Sequence, residues 1–166
     1  MVWFPVHGLS KVVRIFLSTD SAAASTLARA RFPLLRKGTD RRIGQLEEGI
    51  QRMLSGLVHV FDFSMLDLAS CSAFQRNVLM EEATIPRGEV RTYGWLAGRM
   101  GSPSLARAVG SALAGNPFPL VIPCHRTVRS DGSPGGYQGG PSMKRSLLEM
   151  EGVRFRPDGK LLKPTL

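Results

Sequence analysis

The sequence predicts a mixed α/β protein with a small α/β half, residues 1–71, and a mainly helical half, residues 72–166, that contains a helix-turn-helix. Two observations support this prediction. Apolar runs rich in β-branched and aromatic residues stand at residues 2–6 and 11–17, which is typical of strands. Further along the chain, apolar residues recur at helical spacing behind residues that commonly cap helices.

Composition and charge indicate a globular protein with a polyanionic partner. The 166 residues are 43% hydrophobic and 21% charged, which is sufficient for a buried core. The formal charge of +9 favours nucleic acid, although charge alone is a weak indicator. No apolar run approaches the ~20 residues of a membrane span, and the first residues do not resemble a signal peptide. We therefore expect a cytoplasmic protein with no membrane partner.

Cysteine and histidine usage argues against a metal site. Only two cysteines occur, Cys71 and Cys124, and their sequence contexts differ. Two thiols support neither a disulfide framework nor a four-thiolate zinc site. His7 and His59 are the only histidines of the first half, so we expect no zinc there. Cys71 and His59 are interpreted as structural residues.

The first half is predicted to combine strands with helices and shows no recognisable chemistry. A capped helix is predicted over residues 19–30. A second helix is predicted to begin after Asp40 and to end at Gly56, and a strand to follow from Val58 to Phe63. The basic loop over residues 29–42 is interpreted as a solvated surface in preference to a DNA contact.

The boundary between the halves is predicted near residue 71. Ser72 and Gln75 have the spacing of a capping box, which opens a helix with Phe74 on its buried side. Pro86 then stops this helix.

Two short helices follow, joined by a glycine-containing turn. Thr92 caps the first, which is predicted from Tyr93 to about Met100, and Gly101 lies in the turn. The second is predicted from Pro103 to Ala114. This arrangement is typical of a helix-turn-helix, although two helices packed only for stability share the pattern. Small residues dominate the second helix, which allows close approach to a backbone.

The stretch from Asn116 to Arg126 contains the sequence's strongest indication of chemistry. Three prolines hold it extended, and residues 120–122 are predicted to form a buried strand that delivers Cys124 to a pocket. A thiol reacts as its thiolate, whose formation a neighbouring His125 and Arg126 would favour. An acid from elsewhere in the chain is expected to orient His125.

The remaining segments are a glycine-rich loop, a helix and a tail. The loop over residues 130–140 contains five glycines, which suits close approach to a ligand or, alternatively, a flexible surface hairpin. A last helix is predicted to start at Pro141 and end at Gly152, and residues 154–166 form a turn and a loosely held tail.

Several of these segments together resemble the O6-alkylguanine-DNA alkyltransferases. The resemblance covers about residues 72–153, whereas the first 70 residues match weakly. The matching blocks are Phe74-Gln75, Ile85-Pro86-Arg87-Gly88-Glu89-Val90, Tyr93, Ala106-Arg107-Ala108-Val109-Gly110, Gly115-Asn116-Pro117, Ile122-Pro123-Cys124-His125-Arg126, Gly136-Tyr137-Gln138-Gly139-Gly140 and Glu149-Met150-Glu151-Gly152. The resemblance implies a ribonuclease H-like first domain, and direct-reversal DNA repair without a cofactor.

The same resemblance implies a role for each residue of the active site. Cys124 would take a methyl or small alkyl group from O6-alkylguanine, and also from O4-alkylthymine, in a single irreversible turnover. His125 would receive the thiol proton through a water, Glu151 would orient His125, and Asn116 would brace the turn. Tyr93 would favour base rotation and donate a hydrogen bond to the leaving guanine. The expected pocket residues are Tyr137, Gln138, Gly139, Val121 and Pro119.

The implied partner is double-stranded DNA, bound by a monomer through the minor groove with the damaged base flipped out. Arg107 would fill the vacated place in the stack. The other expected DNA contacts are Tyr93, Ser104, Ala106 and Gly110.

One departure and two alternatives remain open. Gln138 stands where many family members have a small hydroxyl residue, which puts the acceptance of large adducts in doubt. A non-enzymatic alkyltransferase-like protein would bind damage without transfer, but such relatives lack the reactive cysteine. A cysteine hydrolase would use Cys124 and His125, but it leaves Arg107 and the basic charge unexplained.

Overall fold

A computed structural model describes residues 1–6, 8–34 and 36–162. His7 and the last four residues of the predicted tail lie outside these ranges. The chain divides into two compact units. The first contains Met1–Cys71 together with Pro117–Val121, and the second contains Ser72–Asn116 and the chain from Ile122 onward. Both units combine helices with a small sheet, which confirms the mixed α/β class.

The first unit begins with the predicted hairpin. Strand β1, Val2–Val6, pairs antiparallel with β2, Leu9–Arg14. Helix α1 spans Ala24–Arg31, so the predicted start at residue 19 is wrong. Thr19 instead closes a turn, because its amide donates to the Ala22 carbonyl (2.9 Å) and its hydroxyl accepts from the Ala22 amide (3.1 Å).

Helix α2, Arg41–Leu54, confirms the predicted cap at Asp40. One Asp40 carboxylate oxygen accepts from the amides of Arg42 (2.8 Å) and Ile43 (3.1 Å), and the other accepts from the Ser10 hydroxyl (2.7 Å). Gly56 follows the helix with φ of +85°. The buried residues of the helix are Ile43, Leu46, Gly49 and Met53.

The predicted strand from Val58 to Phe63 is wrong. Val58 and Val60 are 74% and 87% exposed, and a 3-10 turn occupies Phe63–Met65. Asp62 caps this turn by accepting from the Ser64 amide at 2.8 Å. β-branched residues stabilise a strand by packing against neighbours, and these side chains have no such cover. The ribonuclease H-like likeness of this half stays a prediction.

The second unit contains four helices and a short parallel strand pair among its described residues. These elements are α3 Ala73–Glu82, β3 Arg91–Thr92, α4 Tyr93–Arg99, α5 Ala106–Ala114, β4 Thr127–Val128 and α6 Gly140–Met150. Strand β3 pairs parallel with β4. A core cluster of Val90, Val128, Leu148 and Leu161 lies beside this pair.

The start of α3 differs in part from the predicted capping box. The Ser72 hydroxyl accepts from the Gln75 amide at 3.2 Å, as predicted. The Gln75 side chain does not return to the cap, however, but donates to the Ala112 carbonyl of α5 at 3.1 Å. Phe74 is 36% exposed and is not a core residue, which corrects its predicted burial.

The segment from α4 to α5 places two short helices on either side of Gly101. Thr92 caps α4 by accepting from the Trp95 amide at 3.0 Å, as predicted. Gly101 has φ of +103°, which favours glycine. A 3-10 turn over Pro103–Leu105 then leads into α5, so the second helix starts later than predicted. Within the described ranges, no helix is long and apolar enough to cross a membrane.

Candidate active site

Cys124 lies at the start of a tight turn. The predicted strand over residues 120–122 is wrong, because Leu120 has φ of +75° and Leu120 and Val121 form a turn. After Pro123 a 3-10 turn spans Cys124–Arg126. The amide of Cys124 donates to the Ile122 carbonyl at 2.8 Å. The prolines direct the chain, but a turn sets the position of the sulfur.

Asn116 holds the sulfur of Cys124 from the end of α5. Its side chain is fully buried, and its Nδ2 donates to the Ile122 carbonyl (3.1 Å) and to Cys124 Sγ (3.1 Å). Asn116 therefore connects the backbone before the cysteine with the thiol itself.

His125, Glu151 and Arg126 form a buried group beside the thiol. His125 Nε2 lies 3.1 Å from Glu151 Oε1, and the Arg126 guanidinium binds both carboxylate oxygens at 2.8 and 2.9 Å. Arg126 also donates to the Ile85 carbonyl at 2.6 Å. The structure thus places Glu151 at hydrogen-bond distance from His125, and its role as the orienting acid stays a prediction.

The protonation states of this group follow from its contacts. Burial favours the neutral form of Glu151, but hydrogen bonds from His125 and Arg126 outweigh it and hold the pKa of Glu151 at about 2. Burial lowers the pKa of His125, against the opposing effect of Glu151, so the imidazole is neutral. An ionised carboxylate only accepts hydrogen bonds, so we assign the proton to Nε2. His125 Nδ1 is then an acceptor, and it is buried without a protein partner among the described residues.

The thiol of Cys124 is protonated in the resting protein. Burial raises its pKa to about 12, and the hydrogen bond from Asn116 lowers it only in part. His125 and Arg126, which the sequence predicted to favour the thiolate, do not offset the effect of burial on this pKa. The reason is that Arg126 is neutralised by Glu151 and that His125 is uncharged. Formation of the thiolate therefore requires a base.

A cavity of about 330 Å³ lies in front of the thiol, near the lower end of the range for small-molecule sites. Its wall contains Tyr93, Gly110, Leu113, Ala114, Cys124, Gly136, Tyr137 and Gln138. Tyr93 packs closely against the glycine-rich loop, because a Cβ at Gly135 would lie 3.1 Å from its hydroxyl oxygen. Burial raises the pKa of Tyr93, and that of Tyr137, so both phenols keep their protons.

Gln138 spans part of the cavity wall. Its Nε2 donates to the carbonyls of Ala114 (3.1 Å) and Asn116 (2.7 Å), which lie at the end of α5. Carbonyls at the end of a helix have no helical hydrogen-bond partners, and the Gln138 side chain supplies donors for these two. These hydrogen bonds connect the glycine-rich loop to α5.

The other predicted site residues are not among those that line this cavity. Arg107 and Ser104 are exposed, and Ala106 begins α5. Gly139 is buried next to α6, and Pro119 and Val121 are buried in the segment assigned to the first unit. The expected roles of these residues stay predictions.

Sequence reasoning missed Arg126 as the partner of Glu151, and it missed three buried polar residues, Glu82, Thr127 and Lys144. A signal existed for two of them. Glu82 shares the buried side of α3 with Val78 and Leu79, and Lys144 shares that of α6 with Leu147 and Leu148. In both helices the charged residue lies three or four positions from apolar residues, which is the spacing of one buried helix face. Across the described ranges, no three His, Cys, Asp or Glu side chains are grouped to hold a metal ion.

Comparisons with known proteins identify the family. Residues 73–153 match the family model of the 6-O-methylguanine DNA methyltransferase, DNA binding domain. A methylated-DNA--protein-cysteine methyltransferase of Methanothermobacter thermautotrophicus is 50% identical over 111 residues, which are 67% of this chain and 62% of the relative. A relative of the same name from Mycobacterium bovis is 46% identical over 85 residues, 51% of this chain and 52% of the relative. The chain thus spans about half to three fifths of these curated relatives.

Solved structures extend the match. The Mycobacterium tuberculosis OGT in complex with DNA has a TM-score of 0.61 and 40% identity, covering 65% of this chain and 66% of that chain. The O6-methylguanine methyltransferase of the same organism has a TM-score of 0.60 and 39% identity, covering 69% of this chain and 68% of that chain. With more than two thirds of a solved relative covered at this identity, the chain belongs to the 6-O-methylguanine DNA methyltransferase family.

Proposed function

We propose that the protein repairs DNA by moving a methyl or small alkyl group from guanine O6, and from thymine O4, to Cys124 in a single turnover. The observation that supports this most is the Cys124 thiol on the wall of a cavity, held by Asn116 and followed by a neutral His125 paired with Glu151. The proposed activity needs no cofactor, because the protein supplies both nucleophile and base.

The first step is removal of the thiol proton. His125 Nδ1 accepts it through an intervening water, and the imidazolium that forms is stabilised by the Glu151 carboxylate. Arg126 holds Glu151 ionised throughout. The protonation of His125 therefore takes place beside a negative charge that is already in position.

The second step is an in-line displacement at the alkyl carbon. The sulfur lone pair forms the new S–C bond, and the electrons of the C–O6 bond remain on the guanine oxygen. Tyr93, whose phenol stays protonated, donates a hydrogen bond to guanine as this charge develops. His125 then returns its proton to the guanine anion. The overall reaction converts the thiol and the alkylguanine into a thioether and guanine. A thioether does not release the alkyl group, so each molecule acts once.

The proposed DNA contact is a helix-turn-helix formed by α4, the turn at Gly101 and α5. Small residues on α5, among them Ala106 and Gly110, would permit close approach in the minor groove, and Ser104 would contact the backbone. Arg107 is exposed and has no side-chain partner within the described part of the chain, so it is free to enter the stack when the base is flipped out. We propose that a cytoplasmic monomer performs this reaction.

The test of this function is a stoichiometric assay. Incubation with duplex DNA containing O6-methylguanine should add one methyl group per protein molecule, seen in the intact mass and located on Cys124 by peptide mapping. A methyl group on Cys71 would contradict the mechanism. Turnover beyond one equivalent would favour a hydrolase, and binding of damaged DNA without transfer would favour an alkyltransferase-like protein.

Gln138 is expected to limit the size of the alkyl group. Gln138→Ser should raise the rate of benzyl transfer relative to methyl transfer by roughly tenfold, because the shorter side chain opens the wall and loses its bonds to Ala114 and Asn116. Competition between O6-benzylguanine and O6-methylguanine measures this ratio.

Gln138→Glu is the matched variant, since it keeps the size of the side chain but cannot donate to the two carbonyls. It should behave as Gln138→Ser if the hydrogen bonds hold the wall closed. An unchanged benzyl-to-methyl ratio in both variants would remove Gln138 as a determinant of adduct size.

A further inference from the structure

A buried network of three polar side chains lies beside the active site and has no part in the steps described above. Glu82 ends α3, Thr127 begins β4 and Lys144 lies on α6, and all three are fully buried. The Thr127 hydroxyl donates to Glu82 Oε2 at 2.5 Å. Lys144 Nζ donates to the Thr127 carbonyl (2.7 Å) and to the Gly136 carbonyl (3.3 Å). Thr127 therefore connects the acid to the base.

The two ionisable groups of this network do not form a direct ion pair. Within the described ranges, neither Glu82 nor Lys144 has an oppositely charged atom within 4.0 Å, and Glu82 Oε1 has no hydrogen-bond partner. Burial raises the pKa of Glu82 to about 7 and lowers that of Lys144 to about 8. Burying a charge without a close partner costs free energy. We therefore expect Glu82 and Lys144 to change their charge states near neutral pH.

Both groups act electrostatically on Cys124. After burial and the Asn116 hydrogen bond, the largest influences on the pKa of the thiol are Glu82, which raises it, and Lys144, which lowers it. The same carboxylate raises the pKa of Tyr93, which also lines the cavity. The geometry supports this coupling, because Lys144 donates to the carbonyl of Gly136, which lines the same cavity as Cys124. Thr127 also follows directly after the turn Cys124–Arg126.

We propose that Glu82 and Lys144 are positioning residues of opposite sign that act through Cys124: the Lys144 ammonium favours the thiolate and the Glu82 carboxylate opposes it. The inference deepens the proposed alkyl transfer and rests on it for its biological meaning. The reactivity of the sulfur, however, can be measured without DNA.

The sign of the pH dependence follows from the two charges. Below about pH 7 Glu82 is neutral and Lys144 is positive, which favours the thiolate. Above about pH 8 Glu82 is negative and Lys144 is neutral, which disfavours it. The fraction of thiolate ordinarily increases as the pH rises, and the network makes this increase smaller. The other titratable or charged groups around the thiol and the network are Tyr93, His125, Arg126, Arg129, Tyr137 and Glu151.

The experiment measures how fast iodoacetamide alkylates Cys124 in the full chain between about pH 6 and pH 9, with the modified peptide quantified by mass spectrometry. In the unaltered protein, the logarithm of the rate should rise with a slope below one. Glu82→Gln should match it at the acid end and react about three- to tenfold faster at the alkaline end. Lys144→Met should react about three- to tenfold slower at the acid end and converge at the alkaline end.

Glu81→Gln is the control, because it makes the same charge change one residue away, at a side chain paired with Arg99. It should leave the profile unchanged. A unit slope in the unaltered protein, which requires no variant to fold, or a rate ratio independent of pH in both variants, would overturn the inference. If the predicted profile is found but no methyl group is transferred from DNA, the proposed function fails while the network's effect on Cys124 stands.

Discussion

Replacing Cys124 by alanine is expected to abolish alkyl transfer and to leave binding of duplex DNA unchanged. In the proposed reaction the sulfur forms the new bond, and no other thiol lies on the cavity wall within the described residues. The side chain is buried behind the cavity and carries no charge in the resting protein, so its loss does not alter the exposed surface of α5. Transfer is measured by intact mass, and binding by titration of labelled duplex.

Two variants control this result. Cys71→Ala should transfer one methyl group as the unaltered protein does, because Cys71 is buried and lines no part of the cavity. Arg107→Ala should instead weaken binding to duplex DNA, and it should reduce transfer from duplex more than transfer from the free base. Methyl transfer by Cys124→Ala, or equal losses from duplex and free base in Arg107→Ala, would contradict the roles proposed for these residues.

Replacing Glu151 by glutamine is expected to reduce both the transfer rate and the stability of the fold. In the proposed mechanism the carboxylate fixes the tautomer of His125 and stabilises its imidazolium, so transfer should slow by about 10² or more. The change also leaves the largely buried Arg126 without its counterion, which should lower the free energy of unfolding by about 3 kcal/mol. Single-turnover kinetics and denaturant unfolding measure the two effects separately.

The acid stability of the unaltered protein should show the same interaction. The folded-state pKa of Glu151 is about 2 against an ordinary value of 4.5, so its stabilising contribution is complete above about pH 4.5 and is lost as the pH falls through about 2. The stability of Glu151→Gln should not show this loss as the pH falls. Glu149→Gln, in an exposed pair with Arg145, is the matched control and should keep it. Equal acid profiles in the two variants would contradict the assignment.

Local patterns predicted several features because the physical cause was also local. Asp40 and Thr92 cap helices by bonding to amides two or three residues away, and Gly56 and Gly101 adopt backbone conformations that other residues resist. The ordered blocks around Cys124 predicted the family, which the comparisons show. Through the resemblance, the same blocks predicted Cys124, His125 and Glu151 as site residues.

Features that depend on distant neighbours were not predictable from the chain alone. Gln75 satisfies the capping-box spacing but bonds to Ala112, because packing of α3 against α5 offers a carbonyl there. The segment from Val58 to Phe63 has strand composition, but Val58 and Val60 are exposed and have no neighbours to pack against within the described part of the chain. The apolar run at residues 120–122 is compatible with a strand or with a turn, and the structure shows a turn at Leu120.

Residue types and their order in the chain thus determined the helix caps, the candidate nucleophile and the family. Burial and three-dimensional proximity decided the rest: that the thiol is protonated, that Arg126 serves Glu151, and that Glu82 and Lys144 share the bridge at Thr127. The reason is that charge states depend on desolvation and on groups far apart in sequence, and neither is visible until the chain has folded.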